Sequence, residues 1–578
     1  MNPTQQMMRK LAVAVQLFVL GLPAIVFAQD LRELRQYEPV VKIANHLPAL
    51  KGIPVNEMRL YTWHASTQTW EEMPFQVDER SLDPTPSNLN HRRWFYFRPG
   101  TSGDSTEHNH VFDRMDELVF MLRDAGDEAP ADAWIDNPES RQHPRNELKV
   151  IDPDNPNLAV FAYVFRSHTF TEPVPTPYAF AYSAASNTLS TTYYMVGFGT
   201  NGLIQDISIN QPWGSGLDFF DALKIRFGGV INFFIPLELV LKETNIFLYD
   251  DTRVTEQPVV RLVRQTRQTI RVGTFILHDT PFYAAATFHP FGGTTNTGAS
   301  IAQEDLQTTF GNVRVGIILN SVRYSLDLNA SASGATFSNR RNAEIPVNGV
   351  PDVVDHTIPV PVNEWFFVTG NHGSLLSSFQ IAETDWDGVS LYFHDSADGG
   401  QADSEYHGDN DTGDGKSYGD HGILFTGHGR DSLNLDLNFS ALFIPETDVD
   451  LAEAERMGEQ FLRPLDVDVT SVTDTGVDDP SDTPRPESVR LLPNAPNPFN
   501  ASTRIPFVLP HAGRVRLEIV DARGRLVRVL RDGILSAGTH SVVWDGRAES
   551  SEVLASGVYV SRLIFERQIQ TRKLVLLQ

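Results

Sequence analysis

The 578-residue chain has no cysteine. That excludes disulfides, thiolate metal sites and cysteine nucleophiles, and it excludes a lipidated N-terminal cysteine. Positive charge is scarce: 47 Lys and Arg stand against 73 Asp and Glu, for a formal charge of −26. Thirteen of the basic residues but only seven of the acidic ones lie from Ser488 onward, so the tail carries +6 and everything before it −32. A body this acidic is repelled by phosphate backbones and anionic membrane surfaces, which removes nucleic acid from its partners. Long apolar runs are confined to the N-terminus, so no transmembrane segment is expected in the mature chain. Between about 171 and 445 helical periodicity is nearly absent, which points to antiparallel sheet.

What remains is a turn-rich chain, with 36 Pro and 40 Gly beside 41% hydrophobic residues, a balance that fits folded β-structure and neither collagen nor disorder. Arg9-Lys10, the apolar run Leu11 to Leu22, the break at Pro23 and Val26-Phe27-Ala28 before Gln29 read as a signal peptide cleaved between Ala28 and Gln29. Residues 29–170 read as an N-terminal β-rich region. Its carboxylates Asp78, Glu79, Asp116, Glu117, Asp124 and Asp127 have two readings: an acid and base gathered in one site, or turn and edge residues flanking buried strands. Residues 171–465 carry runs rich in β-branched and aromatic residues, among them Thr191 to Phe198, Ile231 to Leu241 and Arg323 to Leu328, broken by Gly, Asn, Asp and Pro. The expected fold class is mostly β, with a large antiparallel β-sandwich or supersandwich as the body. Asp450 with Glu453 marks the start of a short helix that ends before Pro464 and closes this region. The linker is expected at 466–487, extended and rich in Asp, Thr and Pro.

Three patterns in the body touch on cofactors. Gly197-Phe198-Gly199-Thr200-Asn201-Gly202 has dinucleotide-binding spacing, but Leu203 to Pro212 continues as strand and turn, so no helix N-terminus follows to receive a phosphate. His108-Asn109-His110 with Asp113 offers two imidazoles and a carboxylate to a zinc-like ion, or forms an exposed loop. The stretch Asp395 to Asp420 alternates hard oxygen ligands with glycine, as calcium requires, and Asp409, Asp411 and Asp414 are its candidate ligands. The spacing departs from the EF-hand at Gly413, and a solvated acidic loop is the alternative reading.

The tail, 488–578, opens on Pro496, Asn497, Pro498, Phe499 and Asn500, read as a rigid non-pairing entry. Alternation follows, with Ile505, Phe507 and Leu509 on one face and then Val515, Leu517 and Ile519. Turns at Asp521 to Gly524, Asp532-Gly533, Asp545-Gly546 and Ser556-Gly557 separate short strands, which together read as a small Ig-like β-sandwich. The run PNPFN, the V-D-x-x-G turn at Gly524, the strand end at Trp544, the Ser-Gly-Val-Tyr strand with Gly557 and Tyr559, and the basic last strand with Lys573 resemble the type A C-terminal sorting domain of type IX secretion. That domain is itself similar to the Ig-like domain of flagellar hook-capping proteins. Ala501 departs from the pattern, since the family more often shows a third proline there. The resemblance implies an outer-membrane secretion machinery as partner and a secreted or outer-surface location in a Gram-negative-type bacterium. The body resembles only secreted β-rich proteins to which no activity attaches. Composition leaves it three roles: binding an extracellular ligand such as a glycan, acting as a polysaccharide lyase or hydrolase, or serving as a structural or adhesion component.

Overall fold

The computed structural model describes residues 30–82, 94–96, 110–113, 116–170, 178–232, 236–248, 252–272, 275–276, 282–301, 307–310, 313–381, 386–397, 417–430, 433–473 and, with short interruptions, 489–577. It divides into two compact units, Met1–Asp474 and Thr475–Gln578. Both are antiparallel β-structure.

The first unit is a stack of sheets in which successive residues of one strand serve different cores. In Ala159–Arg166, Val160, Ala162 and Val164 belong to a core of Leu, Met and Val side chains, while Phe161, Tyr163 and Phe165 face an aromatic group with Trp63 and Trp134. A strand buried on both faces reads as a continuous apolar run, which is what AVFAYVFR is. It is central in a five-stranded sheet ordered Thr69–Met73, Met58–His64, Ala159–Arg166, Arg145–Ile151, Asp466–Val472. The next layer is the three-stranded sheet Pro39–Ile43, Glu117–Met121, Gln76–Asp78. There Leu118 and Phe120 join the first core, and Val119 and Met121 join another with Trp365, Phe367 and Leu442.

Those last three side chains belong to an eleven-stranded sheet that includes Leu262–Val272, Phe282–His289, Gly292–Ile301, Leu433–Ile444, Gly373–Ile381 and Val362–Gly370. Its other face, with Phe366, Val368, Phe379 and Phe439, shares the largest core with a six-stranded sheet. That sheet supplies Leu223 from Phe220–Asn232, Tyr324 from Val313–Leu328, Phe393 from Gly388–Ser396 and Phe425 from Ser417–Arg430. A four-stranded meander from Phe180–Ser183 to Ile204–Ile209 adds Leu189, Val196 and Ile207 to the same core. The expected β-supersandwich is therefore present.

The helix Leu451–Phe461 begins where the sequence places it. The Asp450 carboxylate accepts the Glu453 N–H at 3.0 Å, but Glu453 pairs with Arg456 instead of reaching back, so the capping box is half made. Ala454, Met457 and Gly458 are buried, and a Cβ on Gly458 would lie 2.3 Å from the Trp365 ring. No helix among the described residues is long and apolar enough to cross a membrane.

One boundary differs from the sequence reading. The expected linker begins as strand Asp466–Val472, paired antiparallel with Arg145–Ile151. Val467 and Val469 pack on the first core while the intervening polar residues face out, an edge-strand pattern that the Asp and Thr content disguises.

The second unit consists of a sheet ordered Arg490–Leu491, Thr503–Leu509, Gly538–Trp544 and a sheet ordered Leu526–Leu535, Gly513–Asp521, Gly557–Phe565, Gln568–Leu576. Ile505, Phe507, Leu509, Val515, Leu517 and Ile519 meet in one core with Phe499, Trp544 and Tyr559, as the alternation predicts.

Gly458→Ala should destabilise the first unit by about 1–3 kcal/mol. Overpacking against Trp365 outweighs the gain of up to ~1 kcal/mol in helix propensity. A chemical denaturation midpoint at or above the parent's would refute this packing.

Candidate functional site

The entry to the second unit pairs more than expected. Asn497 uses its side-chain amide as a piece of backbone, donating to Lys573 O at 3.1 Å and accepting from Val575 N at 2.9 Å. Phe499 then exchanges backbone hydrogen bonds with the same terminal strand, accepting from Leu577 N at 2.8 Å and donating to Val575 O at 2.9 Å. Proline carries no N–H, so in this proline-rich entry the Asn amide and the Phe499 backbone do the pairing. Phe499 packs against Trp544 with the rings tilted by 58° and centroids 5.5 Å apart, and Trp544 meets Tyr559 edge-on at 5.4 Å. The Trp544 indole donates to Arg547 O, and the Tyr559 hydroxyl to Ala555 O four residues upstream. Gly557 opens the strand that carries Tyr559, and Lys573 is exposed on the terminal strand. Asn497 and Phe499 thus pair with the strand that carries Lys573, Tyr559 lies opposite Leu574 of that strand, and Trp544 bridges the Phe499 and Tyr559 rings. Pro496, Pro498 and Gly524 lie outside the described residues, as do Ala28 and Gln29.

The six N-terminal carboxylates do not converge. Asp78 and Glu117 are register partners in the three-stranded sheet, and both bind the guanidinium of Arg261, with Nε to Asp78 at 2.8 Å and Nη2 to Glu117 at 2.5 Å. Arg80 adds a 2.8 Å pair to Glu117, and the Tyr96 hydroxyl donates to it at 2.9 Å. Burial raises the Glu117 pKa, but Arg261 and Arg80 outweigh it and hold the carboxyl below its ordinary value. Asp116 accepts N–H bonds from Asp113 and Arg80, and burial pushes its pKa up to about 6. Asp124 is likewise pushed up to about 6 by burial and accepts from the Tyr178 hydroxyl. Asp127 pairs with Arg32, and Glu79 with His110. Each of these carboxylates is engaged by a cation, a hydroxyl or backbone N–H groups, but Asp78, Asp116 and Glu117 are buried and Glu117 lies in the middle strand of its sheet, so they are not simply turn and edge residues.

A second buried charge group was missed in the sequence. Lys224 Nζ lies 2.5 Å from Asp327 and 3.5 Å from Asp420, with Ser417 Oγ donating to Asp327 at 3.0 Å. All lie on the six-stranded sheet, opposite the side that carries Leu223, Tyr324 and Leu326. Desolvation and the neighbouring Asp420 charge push Asp327 up to about 8.

Both ends of the acidic stretch are engaged: Asp395 accepts backbone N–H bonds from Asn348, Gly349 and Gly419, and Asp420 faces Lys224. Asp409, Asp411 and Asp414 lie outside the described residues, as do His108 and Asn109. The glycine-rich spacing at Gly197 to Gly202 forms the hairpin turn between Tyr194–Phe198 and Ile204–Ile209, with Gly202 at φ +82°. Among the described residues, Glu139, His143 and His168 bring three metal-ligating side chains within reach of one ion. Neither histidine stands in a spacing that marks it in the sequence.

Comparison with known proteins bears first on the second unit. The FlgD Ig-like domain family matches residues 500–563, so the C-terminus carries an Ig-like domain. No curated protein matches the chain. Among solved structures, dimeric latent PorU from Porphyromonas gingivalis is 10% identical over 74% of this chain and 36% of its own, with a TM-score of 0.14. PorZ from the same organism, described as an essential surface component of its type-IX secretion system, is 12% identical over 72% and 47%, with a TM-score of 0.12. Native alpha-2-macroglobulin from E. coli is 9% identical over 90% and 35%, also at 0.12. The chain spans less than half the length of each, and scores this low carry no inference about it.

Arg261→Met would leave Asp78 and Glu117 buried without their shared cation and should cost about 3–5 kcal/mol. Adding Asp78→Asn and Glu117→Gln should recover part of that loss. Equal denaturation midpoints for the parent and the single variant would show that the guanidinium contributes nothing.

Proposed function

We propose that the chain is a cargo of a type IX-like secretion route, with residues 488–578 as its sorting domain and a body that binds an extracellular ligand such as a glycan. The observation that carries the sorting reading is the pairing of Asn497, Phe499 and Tyr559 with the terminal strand, with Trp544 bridging the Phe499 and Tyr559 rings. This anchors the strand carrying Lys573 while leaving that side chain exposed. An exposed basic strand on a self-contained sandwich is a surface that docking machinery can grip without unfolding the body. The opposite charges of tail and body, +6 and −32, favour separate recognition of the tail. For the body, the engagement of Asp78, Glu117, Asp395 and Asp420 with arginine, lysine or backbone N–H groups favours retention of a ligand over turnover.

A reporter placed between the signal peptide and residues 488–578 should cross the outer membrane of a type IX-competent host, and Phe499→Ala with Trp544→Ala should leave it in the periplasm. A parent fusion that stays periplasmic would remove the sorting role. The full chain, offered a panel of polysaccharides with calcium present, should be retained on at least one without releasing new chain ends. New ends would make the body an enzyme, and no retention would move it to a structural surface role.

A further inference from the structure

Glu139, His143 and His168 meet because of how two strands end. Arg145–Ile151 pairs antiparallel with Ala159–Arg166, beginning at Asn146 opposite Val164. Continuing that register past its last pair sets His143 beside Ser167, one residue from His168. The short 3₁₀ turn Ser140–Gln142 then folds Glu139 back over His143. This turn is itself anchored, since Asn137 accepts the Ser140 N–H at 2.9 Å and the Trp134 indole donates to Ser140 Oγ at 2.9 Å.

The donor atoms are unusually convergent for an ordinary ion pair. His143 Nε2 lies 3.0 Å and His168 Nδ1 2.9 Å from the same oxygen, Glu139 Oε1. The other oxygen, Oε2, is occupied by the His168 backbone N–H at 3.1 Å. All three ligand atoms lie within 4.8 Å of one another. Donors about 2.0–2.2 Å from a tetrahedral ion stand ~3.3–3.6 Å apart, so each Glu139–histidine separation opens by a few tenths of an ångström to seat one, while the two nitrogens, within 4.8 Å of each other, draw together by up to about an ångström through rotation of the exposed His168 ring. Desolvation opposes the Glu139 charge, yet hydrogen bonds from Ser167 and His143 and the nearby imidazoles hold that carboxyl below its ordinary pKa. The Glu139 side chain is 12% exposed and His143 24%, while His168 is 64% exposed, so the fourth position opens to solvent.

We propose that Glu139, His143 and His168 form a binding site for a divalent ion of the zinc class, with one coordination position open to water or an incoming ligand. Two imidazoles and one carboxylate select zinc, copper or nickel over calcium and magnesium, which need sets of oxygen ligands. The ion replaces the protons that otherwise bridge the imidazoles to Glu139, and it staples the 139–143 loop to the end of Ala159–Arg166 without any cysteine.

The test is zinc titration of the chelator-stripped full chain, by calorimetry and by bound-metal analysis after dialysis, beside His143→Gln, His168→Gln and Glu139→Gln. His168 is exposed, so its variant is expected to keep the parent's thermal midpoint in the absence of metal. The parent should hold one tight equivalent of zinc that excess calcium and magnesium do not displace and that weakens on acidification, because the ligands must be deprotonated. Each variant should lose more than the ~10–100-fold in affinity typical of outer-shell changes. Cobalt(II) should give the visible spectrum of a four-coordinate site in the parent and not in His168→Gln. A tight equivalent that survives in both histidine variants, or no tight equivalent in the parent, overturns the assignment.

Discussion

The first unit depends on the closure of its N-terminal sheet by its last strand. Asp466–Val472 pairs along its whole length with Arg145–Ile151, more than 300 residues earlier in the chain. Without disulfides, this non-local pairing acts together with the core that Val119 and Met121 share with Trp365, Phe367 and Leu442 to hold the N-terminal layers to the large sheets. The segment leading into that strand adds further ties: Arg35 donates to Gln460 O and Arg463 O, Lys42 to Leu465 O, and Arg456 to Leu34 O. Most of these bonds satisfy main-chain carbonyls near the end of the helix, where cations also meet the negative end of its dipole. A body closed by its most distant strand has high contact order, so its assembly is expected to be slow.

Between the layers the chain buries charge as well as hydrocarbon. Arg261 faces Asp78 and Glu117 across the junction of the three-stranded and eleven-stranded sheets, and Gln76 reinforces it by accepting the N–H groups of Val259, Val260 and Arg261. Lys224 plays the matching part on the six-stranded sheet with Asp327 and Asp420. Such groups are poor sources of net stability compared with apolar packing, yet each demands one arrangement of partners. A slip of Gln76–Asp78 by one residue would turn Asp78 away from Arg261, so the ion group and the strand register support each other.

The two units divide the work of the chain chemically. The acidic body carries its ionic partners inside and at its sheet edges, while among the described residues the small basic unit buries its aromatic side chains and leaves its arginines exposed or half-exposed. In the latter, Glu518 is the exception: buried between Arg516 and Arg562, it ties two neighbouring strands of the sheet that ends in the terminal strand. That terminal strand is covered on one flank by the Asn497–Phe499 entry, and the side chains of Gln570 and Arg572 reach the Val489 and Leu491 backbone.

Much of this was legible in the amino-acid order, because local rules produced it. Period-two alternation marked Ile505, Phe507 and Leu509 as one buried face, the Asp450 cap marked the helix, and the continuation of strand after Gly202 ruled out a phosphate-binding turn. Other features were decided only by distant parts of the chain. Ser321, Arg323, Ser325 and Asp327 alternate as a solvated strand face would, but the fold buries them, and nothing local distinguishes a polar face in water from one under cover. Val467 and Val469 read as linker until Arg145–Ile151 supplies the partner that makes them an edge strand. Glu139 and His168 are 29 residues apart, and only the pairing of two strands brings their donor atoms within 2.9 Å. Alternation, caps and turns concern neighbours along the chain and so can be read from it, whereas burial of charge and convergence of ligands depend on which strands pair, and that is settled in three dimensions.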